Sequence, residues 1–182
     1  MPDCTEAVPH LSRLYSPTAH LTFPNCTLFL VKTLPAWRPS IGACEGATPK
    51  VYVVDSGLLL HLLGADETRL ADDDQLTGRV LENFVTMEVM KHLEWADTDA
   101  RLHHYRRKDD EVDVVLENRS GELACVEVKA SATVREKDWR QMATIRDARP
   151  KRFKAGFLIY SGEQTVPLGD RLWAVPVSGL WT

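Results

Sequence analysis

Tyr105–Lys129, YRRKDDEVDVVLENRSGELACVEVK, alternates apolar and polar residues through two runs separated by a polar turn. In Glu111–Leu116 the two-residue side-chain period of a strand puts Val112, Val114 and Leu116 on one face and Asp113 on the other. In Leu123–Lys129 it sends Ala124, Val126 and Val128 one way, and Glu127 and Lys129 the other. Asn118-Arg119-Ser120-Gly121 carries turn chemistry, so the two strands are expected to be antiparallel neighbours. Asp113, Glu127 and Lys129 then share one side of a sheet.

Clustered carboxylates repel and raise one another's pKa unless a cation stands between them. Hard oxygen ligands suit magnesium or manganese better than zinc, which prefers imidazole and thiolate. Lys129 beside such a site could hold an attacking water or offset charge on a phosphate. Taken singly, each residue has an ordinary reading as well: Glu127 paired with Lys129, and Asp113 with Arg106 or Arg107, on a solvated sheet face.

Outward from this stretch, Thr77–Glu94 reads as a helix with a wide apolar surface (Val80, Leu81, Phe84, Val85, Met87, Val89, Met90, Leu93), so it should be largely buried. Glu82 lies on its flank and needs a partner: a metal, Arg79 or solvent. Arg101–Arg107 is a first strand before the hairpin. After it, Thr133-Val134-Arg135-Glu136 has the form of a capping box opening a helix, with Trp139, Met142 and Ala143 inward. Ala155–Tyr160 reads as a buried strand, and Leu172–Val177 as an edge strand because of Pro176.

Upstream, Val51–Val54 reads as a buried strand, followed by a short apolar helix capped by Asp55 or Ser56 and stopped at Gly64. Asp66–Gln75 reads as a solvated loop; Asp72-Asp73-Asp74 lacks the glycine and distal glutamate of a calcium loop. Cys26–Val31 is an expected strand, followed by a proline-, serine- and glycine-rich loop to Pro49. Residues 1–26, with Pro2, Pro9, Pro17 and Pro24, read as an irregular lead-in or remnant.

The 182 residues suffice for one domain with a substantial core. Charge is uneven: residues 51–100 hold eleven acids against three bases, and residues 101–154 fourteen bases against ten acids. The second half therefore permits a nucleic-acid partner that the overall charge of -4 does not announce. Cys4, Cys26, Cys44 and Cys125 form no C-x-x-C pair, so neither a zinc site nor a disulfide framework is expected, and reduced thiols point to the cytoplasm. His103-His104 reads as a strand-edge pair rather than a metal site. No apolar run approaches the roughly 18 residues of a membrane span. The first residues lack the regions of a signal peptide. No G-x-S-x-G elbow supports a serine triad.

Asp113, a gap of thirteen residues, then Glu127-Val128-Lys129 resembles the D-x(n)-E-x-K signature of the PD-(D/E)xK nuclease superfamily. Glu82 on a preceding helix and the order α-β-β-β-α-β match from about residue 77 to 177. The resemblance implies an α/β, restriction-endonuclease-like core with a mixed central sheet flanked by helices. More specifically, Pro49–Leu58, Gly78–Val85, Arg106–Asp113, Val126–Lys129 and Ala174–Trp181 resemble blocks of the uncharacterised domain found carboxy-terminal to the ATPase module of many prokaryotic AAA-type ATP-binding proteins. That likeness runs over roughly residues 28–182 and implies a nuclease-like fold. There is no G-x-x-x-x-G-K-[ST] loop, so ATP binding is not carried over, and an ATPase half is either absent from this sequence or was never part of it.

The expected division is a lead-in over 1–26, an extension over 27–76 and a nuclease-like core over 77–182. Two functions follow from the resemblance. One is a magnesium- or manganese-dependent nuclease acting on DNA or RNA. In it Glu82, Asp113 and Glu127 are metal ligands, the Val128 carbonyl is a further oxygen, Lys129 positions the water, and Arg106, Arg107, Lys108, Arg135 and Arg140 lie along the phosphate backbone. The other is a weak or inactive nuclease-fold module that docks an ATPase or another protein, or binds DNA without cutting it.

Overall fold

The computed structural model describes residues 29–38, 48–108 and 110–181. The expected lead-in, the first half of the expected strand Cys26–Val31, the centre of the loop after it, and Cys4, Cys26 and Cys44 lie outside those residues. In chain order the elements are β1 (Val31–Leu34), β2 (Lys50–Val53), α1 (Ser56–Leu63), α2 (Glu67–Asp72), α3 (Asp74–Trp95), β3 (Ala100–Arg107), β4 (Asp110–Asn118), β5 (Leu123–Lys129), α4 (Arg140–Ala148), β6 (Phe153–Tyr160), β7 (Val166–Gly169) and β8 (Leu172–Pro176). Single 3-10 turns cover Glu136–Asp138 and Val177–Trp181.

β3, β4 and β5 form an antiparallel meander, closed between β4 and β5 by the expected turn. Gly121 there has φ +73° and donates its N–H to the Asn118 carbonyl at 2.8 Å, a conformation glycine adopts without penalty. β5 then passes through α4 and returns as β6, parallel to β5. The result is a mixed six-stranded sheet in the order β3-β4-β5-β6-β8-β7.

Both faces of the sheet are covered. Val85 and Met87 of α3 pack on one face against Val114, Val126 and Ile159, with Leu116 and Val128 beside them. Met142 and Ile145 of α4 pack on the other against Val112, Val115, Leu123, Cys125 and Leu158, with Trp139 and Ala143 inward as expected. The molecule is an α/β protein with a mixed sheet flanked by helices.

The expected face of β4 is corrected by this packing. Val112 sits with Val115 on the α4 side, not with Val114 and Leu116 on the α3 side. Tyr105 pairs with Val112 and His103 with Val115, so Asp113 and Val114 together face the one residue His104. That is a β-bulge, which shifts the alternation by one residue and redirects a side chain. The residue it redirects is Asp113.

Other expectations change for local reasons. Asp66–Gln75 is not a loop: the Asp66 carboxylate accepts the Arg69 N–H at 2.8 Å to cap α2, and Asp73 accepts the Leu76 N–H at 2.9 Å to cap α3. The acidic run is a pair of helix starts. Asp55 caps α1 and Gly64 ends it in the left-handed conformation, as the sequence predicts. Thr133 caps nothing; Asp138 reaches back to the Arg135 N–H at 2.9 Å, and the helix begins only at Arg140. β8 is not an edge, because β7 pairs with it from outside, and Pro176 sits at its last position beyond that ladder. Val51 is exposed, so β2 is buried on one face only, through Tyr52. Phe29, at φ +58°, precedes the first strand, which runs over Val31–Leu34 and pairs with β2.

The segment expected as an extension contributes to both cores. Leu34 and Tyr52 pack on the α3 side and Trp37 on the α4 side. Pro35–Trp37 runs along the outer edge of β3, exchanging backbone hydrogen bonds with His104. Asn83 of α3 fixes β2 from the other side, accepting the Val53 N–H at 2.8 Å and donating to its carbonyl at 2.9 Å. Lys50 is thereby held against the end of the sheet.

Candidate functional site

The β4–β5 ladder runs from Glu117↔Leu123 to Val114↔Val126. Beyond it carboxylates take over from backbone: Asp113 Oδ2 accepts the Val128 N–H at 3.0 Å, and Glu127 Oε2 accepts the Asp113 N–H at 3.3 Å. A cleft of about 570 Å3 opens here, lined by Arg79 and Glu82 of α3, Glu111 and Asp113 of β4, and Glu127, Val128 and Lys129 of β5. A smaller one of about 270 Å3 adjoins it, sharing Glu111, Glu127 and Lys129 and adding Lys137, Asp138 and Gln141.

The cation among these acids is Lys50. Its Nζ lies 2.8 Å from Glu82 Oε1, 2.6 Å from Glu111 Oε1 and 2.9 Å from Asp113 Oδ1, which engages all three of its N–H donors. Burial works against its charge, but Asp113, Glu82 and Glu111 outweigh that and hold the ammonium well above the ordinary lysine value. The Tyr52 hydroxyl also donates to Glu82 Oε1, at 2.8 Å; burial and that carboxylate push the phenol upward.

One ammonium does not satisfy the acids around it. Asp113, only 7% exposed, is pushed up to about 6 by burial and by Glu82, against the pull of Lys50. Glu127 is raised well above the ordinary carboxylate range by burial and by Asp113. Both shifts mark negative charge held in a low-dielectric place with too little positive charge beside it.

Glu82, Asp113, Glu127 and Lys129 all line the larger cleft, though they come to it from α3 and the sheet's end rather than across one sheet face. Lys129 pairs with neither Glu127 nor Asp113: its Nζ lies 3.3 Å from Asp138 Oδ1, whose side chain is buried. Asp113 is partnered by Lys50 rather than Arg106 or Arg107, and Glu82 by Lys50 and Tyr52 rather than Arg79. Arg106 lies 4.0 Å from Glu111. Arg106, Arg107, Lys108, Arg135 and Arg140 are all exposed but do not line either cleft; Arg79, Lys129 and Lys137 are the bases that do. His103 and His104 sit in β3, both driven toward the neutral form chiefly by burial, and neither lines the cleft. Among the described residues, no three histidine, cysteine or acidic side chains stand at ion-holding geometry.

Lys50, Tyr52, Glu111 and Asp138 belong to the site but are not singled out by the sequence pattern. Glu111 is two residues from Asp113 and so carried a local signal through the strand period. Lys50 is 63 residues from Asp113, and only the docking of β2 against α3 unites them.

Fold and site together define an α/β protein with an acidic, lysine-bearing cleft at the splayed end of a hairpin. The family described as "Domain of unknown function (DUF4143)" matches residues 77–180, and the chain belongs to that family. Uncharacterized proteins of Mycobacterium bovis and Mycobacterium tuberculosis are each 29% identical to it over 154 residues, covering 84% of this chain and 33% of the relative. The chain thus spans about a third of the length of these relatives. No solved structure matches it. No described helix is long and apolar enough to cross a membrane.

Proposed function

We propose that the protein is a metal-dependent phosphodiesterase of the PD-(D/E)xK, restriction-endonuclease-like kind, acting on DNA or RNA. The observation that carries this reading is the pair Asp113 and Glu127 at the point where the hairpin splays, both short of positive charge, with Lys129 on the same cleft. The donor set is all oxygen, so it fits magnesium or manganese rather than a soft ion. Asp113, Glu127 and Glu82 would hold the metal, with the Val128 carbonyl as a further oxygen. A bound divalent ion would supply Lewis-acid polarisation of a phosphoryl oxygen and a more acidic water.

The chain's own residues would do the rest. Lys129, steadied by Asp138, would orient the attacking water and neutralise charge developing on the phosphate. Arg79 and Lys137 at the cleft rim would hold the phosphate backbone, with Arg106, Arg107, Lys108, Arg135 and Arg140 as more distant, salt-sensitive contacts.

The test is cleavage of single- and double-stranded DNA and RNA by the purified chain with manganese or magnesium. Activity should fall at least about a hundredfold in Glu127→Ala and in Lys129→Ala. A wild-type protein that cuts none of these substrates with either metal ends the nuclease reading.

One observation favours a second reading. The Lys50 ammonium already bridges three of the carboxylates, as a scaffold without catalytic use for them would require. On that reading the chain is a nuclease-fold module, carboxy-terminal to a AAA-type ATPase in longer proteins, that docks the ATPase or binds DNA without cutting. Binding of labelled DNA that is indifferent to metal and to Glu127→Ala, with no cleavage, would support it.

A further inference from the structure

Resting on the metal reading above, we infer that Lys50 is a competitor cation built into the chain: it occupies the metal's place among the carboxylates and must leave for a divalent ion to enter. Its Nζ is within 2.9 Å of one oxygen from each of Glu82, Glu111 and Asp113. An ammonium and a divalent ion cannot both take these oxygens in one shell, because each needs the lone pairs directed at itself and the two cations repel.

The carboxylates and the lysine come from different parts of the fold. Glu82 is on α3 and the other acids on the β4–β5 hairpin, elements held against each other by the apolar packing of Val85 and Met87 on Val114 and Val126. Lys50 reaches in from β2, where it is the first residue of the strand. Its flexible four-carbon stem can withdraw without unpairing Tyr52 or Val53 from β1. Tyr52, from the same strand, holds Glu82 by a hydrogen bond from its uncharged phenol to the carboxylate, which can persist after the exchange. A doubly charged ion also balances four carboxylates better than one ammonium does. The exchange is favoured by charge and opposed by the loss of three short ion pairs, so Lys50 sets the metal concentration at which the site fills.

Two measurements on the full chain test this. Manganese binding is read by electron paramagnetic resonance for wild type and for Lys50→Ala, Lys50→Met and Lys50→Gln, with circular dichroism to establish which variants are folded. Solvent access of the Lys50 amine in wild type is read by pulsed acetylation and peptide mass spectrometry across a manganese titration, with Lys154 as internal reference. The folded Lys50 variants should bind manganese about tenfold more tightly or better, a difference of about 1.4 kcal/mol. Acetylation of Lys50 in wild type should rise saturably at the midpoint of manganese binding, and Asp113→Asn should abolish that response.

Manganese bound by wild type with Lys50 acetylation unchanged overturns the competition and leaves the metal reading standing. A folded Lys50 variant that binds manganese no more tightly than wild type overturns it equally. If neither wild type nor any folded Lys50 variant binds manganese, the metal reading itself fails and takes this inference with it. Should every Lys50 variant unfold, the wild-type acetylation response decides alone, and a flat response counts against the inference.

Discussion

Asp113 concentrates the conflict that the rest of the site manages. The bulge opposite His104 turns it from an ordinary strand position into a nearly buried carboxylate that caps the Val128 N–H and meets Lys50. Its carboxyl ionises at about 6 in the fold, against an ordinary value of 3.8. The native state therefore keeps this proton over a pH range in which the unfolded chain has released it. The stability Asp113 contributes is present below pH 3.8, is lost as pH rises toward 6, and stays lost above it. The integrated loss is at most about 3 kcal/mol, and Glu127 acts in the same direction. Asp113→Asn, which has no proton to lose, should gain on wild type in thermal melting midpoint as pH goes from 4 to about 6.5; parallel curves would show that Asp113 is not the strained group. Cys125 offers a second check at this scale. Burial, then Glu127, pushes its thiol up to about 12, so iodoacetamide should leave it unlabelled in the native protein and label it in denaturant.

Elements whose causes are local can be read from the chain, and those whose causes are distant cannot. α3 declares itself by its apolar stripe, and the β4–β5 hairpin by its alternation and the Asn118–Gly121 turn. The bulge at Asp113 is different. No residue type announces it: two residues of β4 face His104, whose own N–H and carbonyl are bonded outward to Pro35 and Trp37, 67 or more residues earlier in the chain. β7 is equally silent, because Val166-Pro167-Leu168-Gly169 has weak strand character and pairs only because β8 offers it an edge. Half of the candidate site is legible for the same reason. Glu82, Asp113, Glu127 and Lys129 sit on elements with strong periodicity, whereas Lys50 reaches them through the docking of β2 on α3, which depends on Asn83. Asn83 is buried and serves both backbone groups of Val53, so Asn83→Ala leaves an N–H and a carbonyl unpaired and should cost about 2–4 kcal/mol in urea unfolding. An effect below about 0.5 kcal/mol would mean that β2 is held by something else.

At the scale of the whole molecule, the family match begins at residue 77, yet the structure does not divide there. The two-stranded ribbon of β1 and β2 is a sheet of its own, but side chains of the ribbon and of the Pro35–Trp37 segment that follows β1 are part of the core. Leu34 is 1%, Tyr52 5% and Trp37 6% exposed, each packed against residues that the matched span supplies. Burying three such side chains is worth about 5–9 kcal/mol, comparable with the 5–15 kcal/mol by which an entire domain is usually stable. Removing the ribbon would also take Lys50 away from Glu82, Glu111 and Asp113, leaving buried acids to protonate or repel. A fragment of residues 77–182 should therefore lack a cooperative urea transition by circular dichroism and bind a hydrophobic dye in buffer, while the full chain shows one transition. Supplying the ribbon in trans as a peptide of residues 27–56 should restore part of that cooperativity. A fragment that unfolds at the same midpoint as the full chain would make the ribbon an appendage, and the lysine it carries would then be an accessory to the cleft instead of a constituent.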